Sequence, residues 1–301
     1  MDAGTEEAAL RVVSVEREDA PRCGACGNPK RAPFYPPGDI VECSECGVLY
    51  VSPRPTAAAI SAFYSAQGHY DHWDADTGRK AMWRRRVARI RQLVPNGRLL
   101  DVGAGQGDFG ATARTFYEVD GTEVSSEGAR LAHERHGLDI HLGDVCAIDL
   151  PLSAYDVVTL WHVLEHVAEP MTLIKRCYDL LKPGGVVCVA VPNTDENLRL
   201  TRAKRKTGFR GAGGAVVASG IRLPRLELAR PTEEVHLTHF ALDTLKSLLI
   251  QQGFALIEEG LDDHSAAAGL TARIKHLSYA WFHRMTGLAA APCLFVAGRK
   301  P

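Results

Sequence analysis

The sequence predicts an α/β protein in which helices cover both faces of a mostly parallel β-sheet, with a small metal-binding ribbon placed before it. From residue 98 to residue 191, short apolar runs alternate with helical segments, which is the pattern of parallel strands joined by crossover helices. A glycine-rich turn directly follows the first of these runs. Two Cys-x2-Cys pairs, separated by 16 residues, precede them.

The composition is that of an ordinary globular protein, with 46% of the 301 residues hydrophobic and 24% charged. The 35 Lys and Arg nearly balance the 36 Asp and Glu, and a net charge of −1 argues against a general binder of polyanions. No apolar run approaches the roughly 18 residues that a membrane-spanning helix needs. The N-terminal residues lack the basic start and apolar stretch of a secretion signal. We therefore expect a cytoplasmic protein with no membrane span.

Four of the eight cysteines form two close pairs, Cys23 with Cys26 and Cys43 with Cys46. In a reducing compartment this spacing indicates a metal site rather than disulfides. A Cys-x2-Cys turn can bring two thiolates to about 3.8 Å, the separation that a tetrahedral zinc ion requires. Four thiolates leave no open position for a substrate, so the predicted Zn²⁺ is structural. The alternative is four free or redox-active thiols.

The role of the ribbon, residues 21–52, is left open by its cysteines. Ribbons of this kind bind nucleic acid, bind protein or brace a neighbouring domain.

The glycine-rich turn follows the buried run Leu99–Val102, and this arrangement places backbone amides against a ligand at the carboxyl end of a strand. Gly103, Gly105 and Gly107 are spaced G-x-G-x-G, whereas dinucleotide-binding turns have G-x-G-x-x-G. Asp108 takes the place of the third glycine, and its carboxylate would repel a pyrophosphate. S-adenosylmethionine carries a cationic amino group and a sulfonium but no phosphate. The spacing therefore favours this methyl donor over a nicotinamide dinucleotide.

Two acidic residues are compatible with the same ligand. Glu123 ends the next apolar run, 20 residues after Gly103, where a carboxylate can accept both ribose hydroxyls of an adenosine. Asp101, at the end of the first strand, is tolerable beside a cationic ligand.

The run Leu99–Gly107 resembles motif I of the class I S-adenosylmethionine-dependent methyltransferases, and Glu123 matches the acidic residue after that family's second strand. Three further segments are similar to the family: Gly143–Val145, Tyr155–His166 and Leu181–Gly185. The resemblance implies a Rossmann-like sheet of seven strands with the last strand antiparallel. It also implies cofactor contacts from Asp144, near the adenine, and from Trp161, near the methionine part.

Two segments outside the cofactor half, residues 50–55 and 236–240, resemble a bacterial subgroup of this family that carries an N-terminal zinc ribbon. The resemblance covers most of residues 20–260. It implies that the second of these segments closes over the methyl acceptor.

These observations predict four parts along the chain. Residues 1–20 are expected to be mobile, 21–52 to form the ribbon, 53–97 to form a helical connector and lid, and 98–301 to form the methyltransferase domain with an acceptor-side loop at 194–235.

Within these parts, helical periodicity predicts several elements. Thr56 is a suitable N-cap, and Trp83, Val87 and Ile90 recur at helical spacing. The arginines between positions 84 and 91 are expected to form a solvated basic face, with an anion-binding site as the alternative. An additional helix over Leu270–Met285 is expected to turn its apolar residues toward the core rather than toward a membrane.

Transfer of the methyl group to a hydroxyl requires a base that removes the acceptor proton, and histidine suits this task near neutral pH. His236 ranks first as the base and His162 second, with His166 and His239 as further candidates. For each of them a purely structural hydrogen-bonding role is the competing interpretation.

Residues 199–230 contain nine Lys and Arg against one acidic residue, Glu227. Such a segment above the acceptor site would suit a phosphate-bearing small molecule. A merely solvated loop is the alternative.

These observations predict a methyltransferase for a small-molecule or glycan-precursor acceptor, with O-methylation preferred. The first alternative is an RNA methyltransferase that uses the ribbon and the basic loop. Residues 160–163 lack the Asn/Asp-Pro-Pro-aromatic box used for base amines, and the pI of about 6.9 also weighs against RNA. A non-catalytic cofactor-binding scaffold is the second alternative. A nicotinamide oxidoreductase would require dinucleotide binding, which we do not expect.

Overall fold

The computed structural model of the protein describes residues 16–34, 39–64, 77–194, 235–262, 270–286 and 291–301. The strands are β1 (Arg17–Glu18), β2 (Arg31–Pro33), β3 (Ile40–Cys43), β4 (Leu49–Val51), β5 (Arg54–Pro55), β6 (Gly97–Val102), β7 (Tyr117–Glu123), β8 (His141–Leu142), β9 (Tyr155–Trp161), β10 (Leu181–Pro192), β11 (Thr238–His239), β12 (Ala255–Asp262) and β13 (Cys293–Arg299). The helices are α1 (Ala57–Tyr64), α2 (Thr77–Leu93), α3 (Asp108–Ala113), α4 (Ser126–His136), α5 (Pro170–Leu180), α6 (Leu242–Gln251) and α7 (Leu270–Thr286).

The central sheet has seven strands in the order β12-β13-β10-β9-β6-β7-β8. Strand β13 runs antiparallel to both of its neighbours, and the other pairs are parallel. The predicted fold class is therefore confirmed, including the antiparallel last strand.

Strand β10 shows why the strands of this sheet are almost entirely apolar. Its alternate residues Val187, Val189 and Val191 belong to one hydrophobic core, whereas Val186 and Cys188 belong to a second core on the opposite face. Helices α5 and α6 cover the first face, and α2 and α3 cover the second. A strand that is buried on both faces has no alternation of polar and apolar residues.

The helix boundaries follow local signals in the sequence. The backbone N–H of Ala59 donates to the Thr56 hydroxyl at 3.3 Å, so the predicted N-cap of α1 is present. Helix α4 begins after Ser125, whose side chain accepts from the N–H of Gly128, and it ends at Gly137 with φ of 62°.

The ribbon strands form a second sheet, in the order β11-β4-β3-β2. Three of these strands come from residues 31–51, but β11 comes from residues 238–239. Thr238 pairs with Tyr50 and His239 pairs with Leu49, in antiparallel register. A segment from far along the chain thus completes the sheet of the ribbon.

Ordered structure begins before the predicted limit at residue 20. Strand β1 pairs with β5 through Arg17 and Pro55, and Ala20 is fully buried. The rest of the predicted mobile segment, residues 1–15, lies outside the described residues.

The prediction for α7 was right about the helix but wrong about its apolar face. Ile274, Leu277, Trp281 and Met285 each expose 57–66% of their surface. Helical spacing identifies an apolar face, but it does not show whether another element covers that face. Among the described helices, none combines the length and the apolar content needed to cross a bilayer.

Candidate functional site

The glycine-rich turn at residues 103–107, called the glycine turn below, contains three residues with positive φ. These angles are 69° at Gly103, 54° at Gly105 and 83° at Gly107, a region that disfavours residues with a Cβ. A Cβ on Gly103 would also lie 2.5 Å from the Cγ2 of Val163, in the turn after β9. The turn therefore touches the segment that carries the predicted catalytic His162.

Glu123 holds the glycine turn from the end of β7. Its Oε2 accepts a hydrogen bond from the N–H of Gly105 at 2.7 Å, and its Oε1 accepts from the N–H of Ser125 at 2.9 Å. Burial raises the pKa of Glu123, and these backbone donors partly offset the rise. The structure thus places a buried carboxylate directly against the turn.

Asp101 lies beneath the turn and is 2% exposed. Burial raises its pKa to about 7, and the nearby carboxylate of Glu123 adds to the rise. The hydroxyl of Thr159 donates to Oδ1 of Asp101 at 2.8 Å and acts in the opposite direction. Asp101 is therefore poised between its two protonation states near neutral pH.

The third predicted acidic contact, Asp144, is exposed and accepts from the N–H of Cys146 at 2.9 Å. Near it lie two apolar side chains that sequence reasoning missed, Val124 and Leu142, which are 47% and 56% exposed. Leu142 pairs with Glu123 between β8 and β7. Exposed apolar side chains at the carboxyl ends of strands suit a flat apolar ligand, but single apolar residues give no such signal in a sequence.

The indole of Trp161 is packed into the second core rather than left open. It stacks on Phe295 at 6.1 Å between ring centroids and meets Phe109 edge-on at 5.3 Å. The guanidinium of Arg86 lies 4.4 Å from the centroid of the indole. A contact between Trp161 and the cofactor stays a prediction.

His162 has φ of 56°, a strained value for a residue with a side chain. Its N–H donates to the carbonyl of Ala190 at 2.9 Å. One ring nitrogen, Nε2, lies 3.2 Å from Nη2 of Arg86, and the other, Nδ1, lies 3.4 Å from Oε1 of Glu165. The ring is therefore held between a cation and an anion.

Arg86 is a site residue that the sequence analysis placed wrongly on a solvated face. It is 3% exposed and forms a two-pronged ion pair with Asp262, with Nε 3.2 Å from Oδ1 and a second contact from Nη2 to Oδ2. The two partners are 176 positions apart along the chain, which explains why spacing could not reveal the pair.

Glu165 and four histidines form a cluster beside the turn after β9. His166 and His236 have ring centroids 4.9 Å apart, and His236 and His239 have centroids 6.3 Å apart. Burial opposes ionisation of Glu165, but His162, His166 and His236 hold its pKa below the usual value. Burial lowers the pKa of His239 to about 4, and the proximity of His236 adds to this effect. The structure thus brings together the two histidines that the sequence ranked as bases, through Glu165.

The four ribbon cysteines converge on one point. The Sγ atoms of Cys23 and Cys46 are 3.7 Å apart, and those of Cys26 and Cys43 are 3.5 Å apart. A tetrahedral zinc ion with bonds of about 2.3 Å needs sulfur atoms about 3.8 Å apart, so the cysteines fit this metal. Zinc itself stays a prediction.

The ribbon is docked on both segments of the histidine cluster. The N–H of Val51 donates to the carbonyl of Leu237 at 2.9 Å, and the N–H of Leu237 donates to the carbonyl of Glu165 at 2.7 Å. On the other side, the N–H of Met171 donates to the carbonyl of Gly24, where an added Cβ would lie 2.2 Å from the carbonyl of Ala168. The predicted basic loop at 199–230 lies outside the described residues.

Comparison with curated proteins gives relatives that are named as methyltransferases. The ubiquinone biosynthesis O-methyltransferase of Xanthomonas campestris pv. campestris is 31% identical over an alignment of 135 residues that covers 40% of this chain and 56% of the relative. The protein of the same name from Cereibacter sphaeroides is 37% identical over an alignment of 102 residues that covers 32% of this chain and 41% of the relative. The chain spans about half the length of these relatives.

Solved structures with a similar backbone are more distant in sequence. The 1,6-didemethyltoxoflavin-N1-methyltransferase of Burkholderia thailandensis superposes with a TM-score of 0.52 at 17% identity, covering 90% of this chain and 99% of that protein. An S-adenosylmethionine-dependent methyltransferase from Thermotoga maritima has a TM-score of 0.51 at 15% identity, covering 80% of this chain and 100% of that protein. At such identities the similarity shows the fold alone.

The methyltransferase domain family matches residues 74–259, which are more than half of the chain. This match includes the glycine turn, the carboxylate that holds it and most of the central sheet. The chain therefore belongs to the methyltransferase domain family and has the fold of the class I S-adenosylmethionine-dependent enzymes.

Proposed function

We propose that this protein transfers a methyl group from S-adenosylmethionine to a hydroxyl of a small-molecule or glycan-precursor acceptor. The observation that carries the proposal is the direct contact between the glycine turn at Gly103 and the histidine-bearing turn at Val163. Strands β6 and β9, which lead into these turns, are adjacent and parallel, so both turns lie at the same edge of the sheet.

The cofactor would be held by the backbone of the glycine turn and by two carboxylates. Glu123 suits the ribose hydroxyls, and Asp101 suits a cationic amino group. When bound, S-adenosylmethionine supplies a methyl group that is already activated on a positively charged sulfur. The remaining task of the chain is to align the acceptor oxygen with that methyl group and to exclude water.

His236 is the preferred base for the acceptor hydroxyl. The Nε2 atom of His162 faces Arg86, and a guanidinium can only donate, so the lone pair of that nitrogen is engaged. His239 is buried, and its pKa near 4 makes it a poor proton acceptor at neutral pH. His236 is half-buried beside the anionic Glu165, which would stabilise the imidazolium formed by proton transfer.

Two observations bear on the choice of acceptor. The two curated relatives described above are named as O-methyltransferases, which supports oxygen as the methylated atom. Recognition of a phosphate on the acceptor by residues 199–230 stays a prediction from charge.

We propose that the ribbon is a structural brace that holds one Zn²⁺ through Cys23, Cys26, Cys43 and Cys46. The hydrogen bonds from Val51 to Leu237 and from Leu237 to Glu165 support this role, because they tie the ribbon to the proposed acceptor site. The same contacts argue against a ribbon devoted to RNA, since they commit the ribbon edge at β4 to the rest of the chain.

Calorimetry and turnover assays test the proposal. We expect S-adenosylhomocysteine to bind and NAD not to bind, and we expect methylated product from a panel of hydroxylated aromatics and sugars. A His236→Gln variant should lose about 10²- to 10⁴-fold in kcat, the usual contribution of a general base, while binding S-adenosylhomocysteine as the parent protein does. Binding of NAD without binding of S-adenosylhomocysteine would refute the proposal. Methylation of RNA alone would support the RNA alternative.

A further inference from the structure

Glu165 is a buried carboxylate whose nearest partners are histidine side chains at long distances. It is 2% exposed, and the contacts of its oxygens with donors among the described residues are long. The nearest nitrogens are Nδ1 of His162 at 3.4 Å and Nε2 of His166 at 3.8 Å from Oε1. A carboxylate in this position usually gains a full set of hydrogen bonds or a metal ion, because burying it alone is costly.

The hydrogen bonding of His166 orients one nitrogen toward this carboxylate. Its Nδ1 lies 2.8 Å from the carbonyl of Val235, and a carbonyl can only accept, so the proton is assigned to Nδ1. The hydroxyl of Tyr64 lies 2.9 Å from the same nitrogen. Nε2 of the neutral ring then carries the lone pair, and metal-binding histidines almost always donate their other ring N–H to a carboxylate, a backbone carbonyl or water.

His236 contributes a third donor atom to the same space. One ligand atom from each of Glu165, His166 and His236 can be chosen so that all three lie within 4.8 Å of one another. The ribbon cysteines form a separate group, so the two sets do not share a residue.

We propose that Glu165, His166 and His236 bind a divalent first-row transition-metal ion. Two imidazoles and one carboxylate match the preferences of Zn²⁺, Fe²⁺ and Co²⁺ and leave coordination positions open. The three ligands lie beside the turn after β9, which Gly103 also contacts, so an open coordination position of the ion would be available to an acceptor bound there.

The chemical role rests on the proposed function. An acceptor hydroxyl bound to the ion would lose its proton to solvent water, because a bound cation lowers the pKa of a coordinated hydroxyl. The oxygen lone pair would then form the new bond to the methyl carbon as the carbon–sulfur bond breaks, with that electron pair remaining on sulfur. With the ion bound, His236 acts as a ligand, and the ion replaces it in activating the hydroxyl.

Cobalt titration of the full-length, metal-stripped protein tests the inference. We expect two Co²⁺ per chain at saturation. One should show the intense thiolate-to-cobalt charge-transfer band of the cysteine site, and the other should bind without adding to that band. The variants Glu165→Gln and His236→Asn should keep the charge-transfer band and lose the second ion. A His133→Asn variant, altered at an exposed residue of α4, is the control for incidental binding and should retain both ions.

A parent protein that saturates with one Co²⁺, held by the cysteines, would overturn the inference. Retention of both ions by Glu165→Gln and His236→Asn would do the same. Calorimetry with S-adenosylhomocysteine separates this inference from the proposed function. If the protein binds S-adenosylhomocysteine but only one cobalt ion, the second metal site is refuted and the proposed function stands. If the protein does not bind S-adenosylhomocysteine, the proposed function is refuted, whatever the number of bound cobalt ions.

Discussion

His239 on β11 pairs with Leu49 on β4, so the segment that carries His236 is an edge strand of the ribbon sheet. Leu237, between the two histidines, bridges the carbonyl of Glu165 and the N–H of Val51 through its backbone. The predicted zinc site and the histidine cluster are therefore parts of one hydrogen-bonded unit. Loss of the ribbon should disturb the acceptor side of the site, while the glycine turn keeps its own contacts.

The first prediction concerns the ribbon cysteines. A Cys46→Ser change should release Zn²⁺ and lower the melting temperature of the N-terminal part, because structural zinc stabilises a small ribbon directly. The affinity for S-adenosylhomocysteine should change less than about threefold, since Gly105 and Glu123 bond to each other and not to the ribbon. Metal analysis, thermal unfolding and calorimetry measure these effects. Cys146→Ser, at an exposed cysteine, is the control, and full zinc retention by Cys46→Ser would refute the four-thiolate site.

The second prediction concerns the carboxylate that holds the glycine turn. Glu123→Ala should weaken binding of S-adenosylhomocysteine by about 10- to 100-fold, because hydrogen bonds to a charged group contribute roughly 1.5 to 3 kcal/mol. Glu123→Gln, which keeps one acceptor oxygen, should lie between the parent and the alanine variant. Glu118→Gln changes an exposed residue of the same strand and should bind normally. Equal affinities in all four proteins would remove Glu123 from the cofactor site.

The third prediction concerns pH and Asp101. Because its pKa is about 7 in the folded protein, an ammonium group on the ligand should bind best once the carboxyl is ionised. Affinity for S-adenosylhomocysteine should therefore rise about tenfold from pH 6 to pH 8, with proton release on binding at the lower pH. Calorimetry in two buffers of different ionisation enthalpy measures both quantities.

Two comparisons test whether Asp101 causes this pH dependence. Asp101→Asn should show no such rise, and methylthioadenosine, which lacks the amino-acid part, should bind the parent protein with no pH dependence of this origin. The free energy of unfolding should also depend on pH through the Asp101 carboxyl group. A pKa raised by folding stabilises the native state below the unfolded value of about 3.9, and this contribution is lost as the pH rises to about 7. A rise in affinity that persists in Asp101→Asn would contradict the assignment.

The sequence was sufficient for features that depend on local spacing. The glycine turn, the paired cysteines and the apolar strands each lie within a few residues, so their spacing alone indicated the sheet and the predicted zinc ribbon. Features joined across long separations were missed. The pairing of Arg86 with Asp262 and of His239 with Leu49 links segments more than 170 residues apart, and neither residue type signals its partner. The exposed face of α7 was missed for a related reason, because burial depends on neighbouring elements.

The last prediction separates two costs of adding a methyl group to the glycine turn. Gly103→Ala should destabilise the protein through positive φ, by about 1 to 2 kcal/mol, and additionally through the 2.5 Å approach to Val163. Gly137→Ala has a similar φ of 62° but nothing within 4 Å, so it should show the first cost alone. The double variant Gly103→Ala/Val163→Ala should lose less stability than the sum of the two single losses. The smaller alanine at position 163 would relieve the close approach, while the cost of positive φ at position 103 would remain. Denaturant unfolding measures each step. Equal losses of stability in Gly103→Ala and Gly137→Ala, with no recovery in the double variant, would mean that the glycine turn does not touch the turn at Val163.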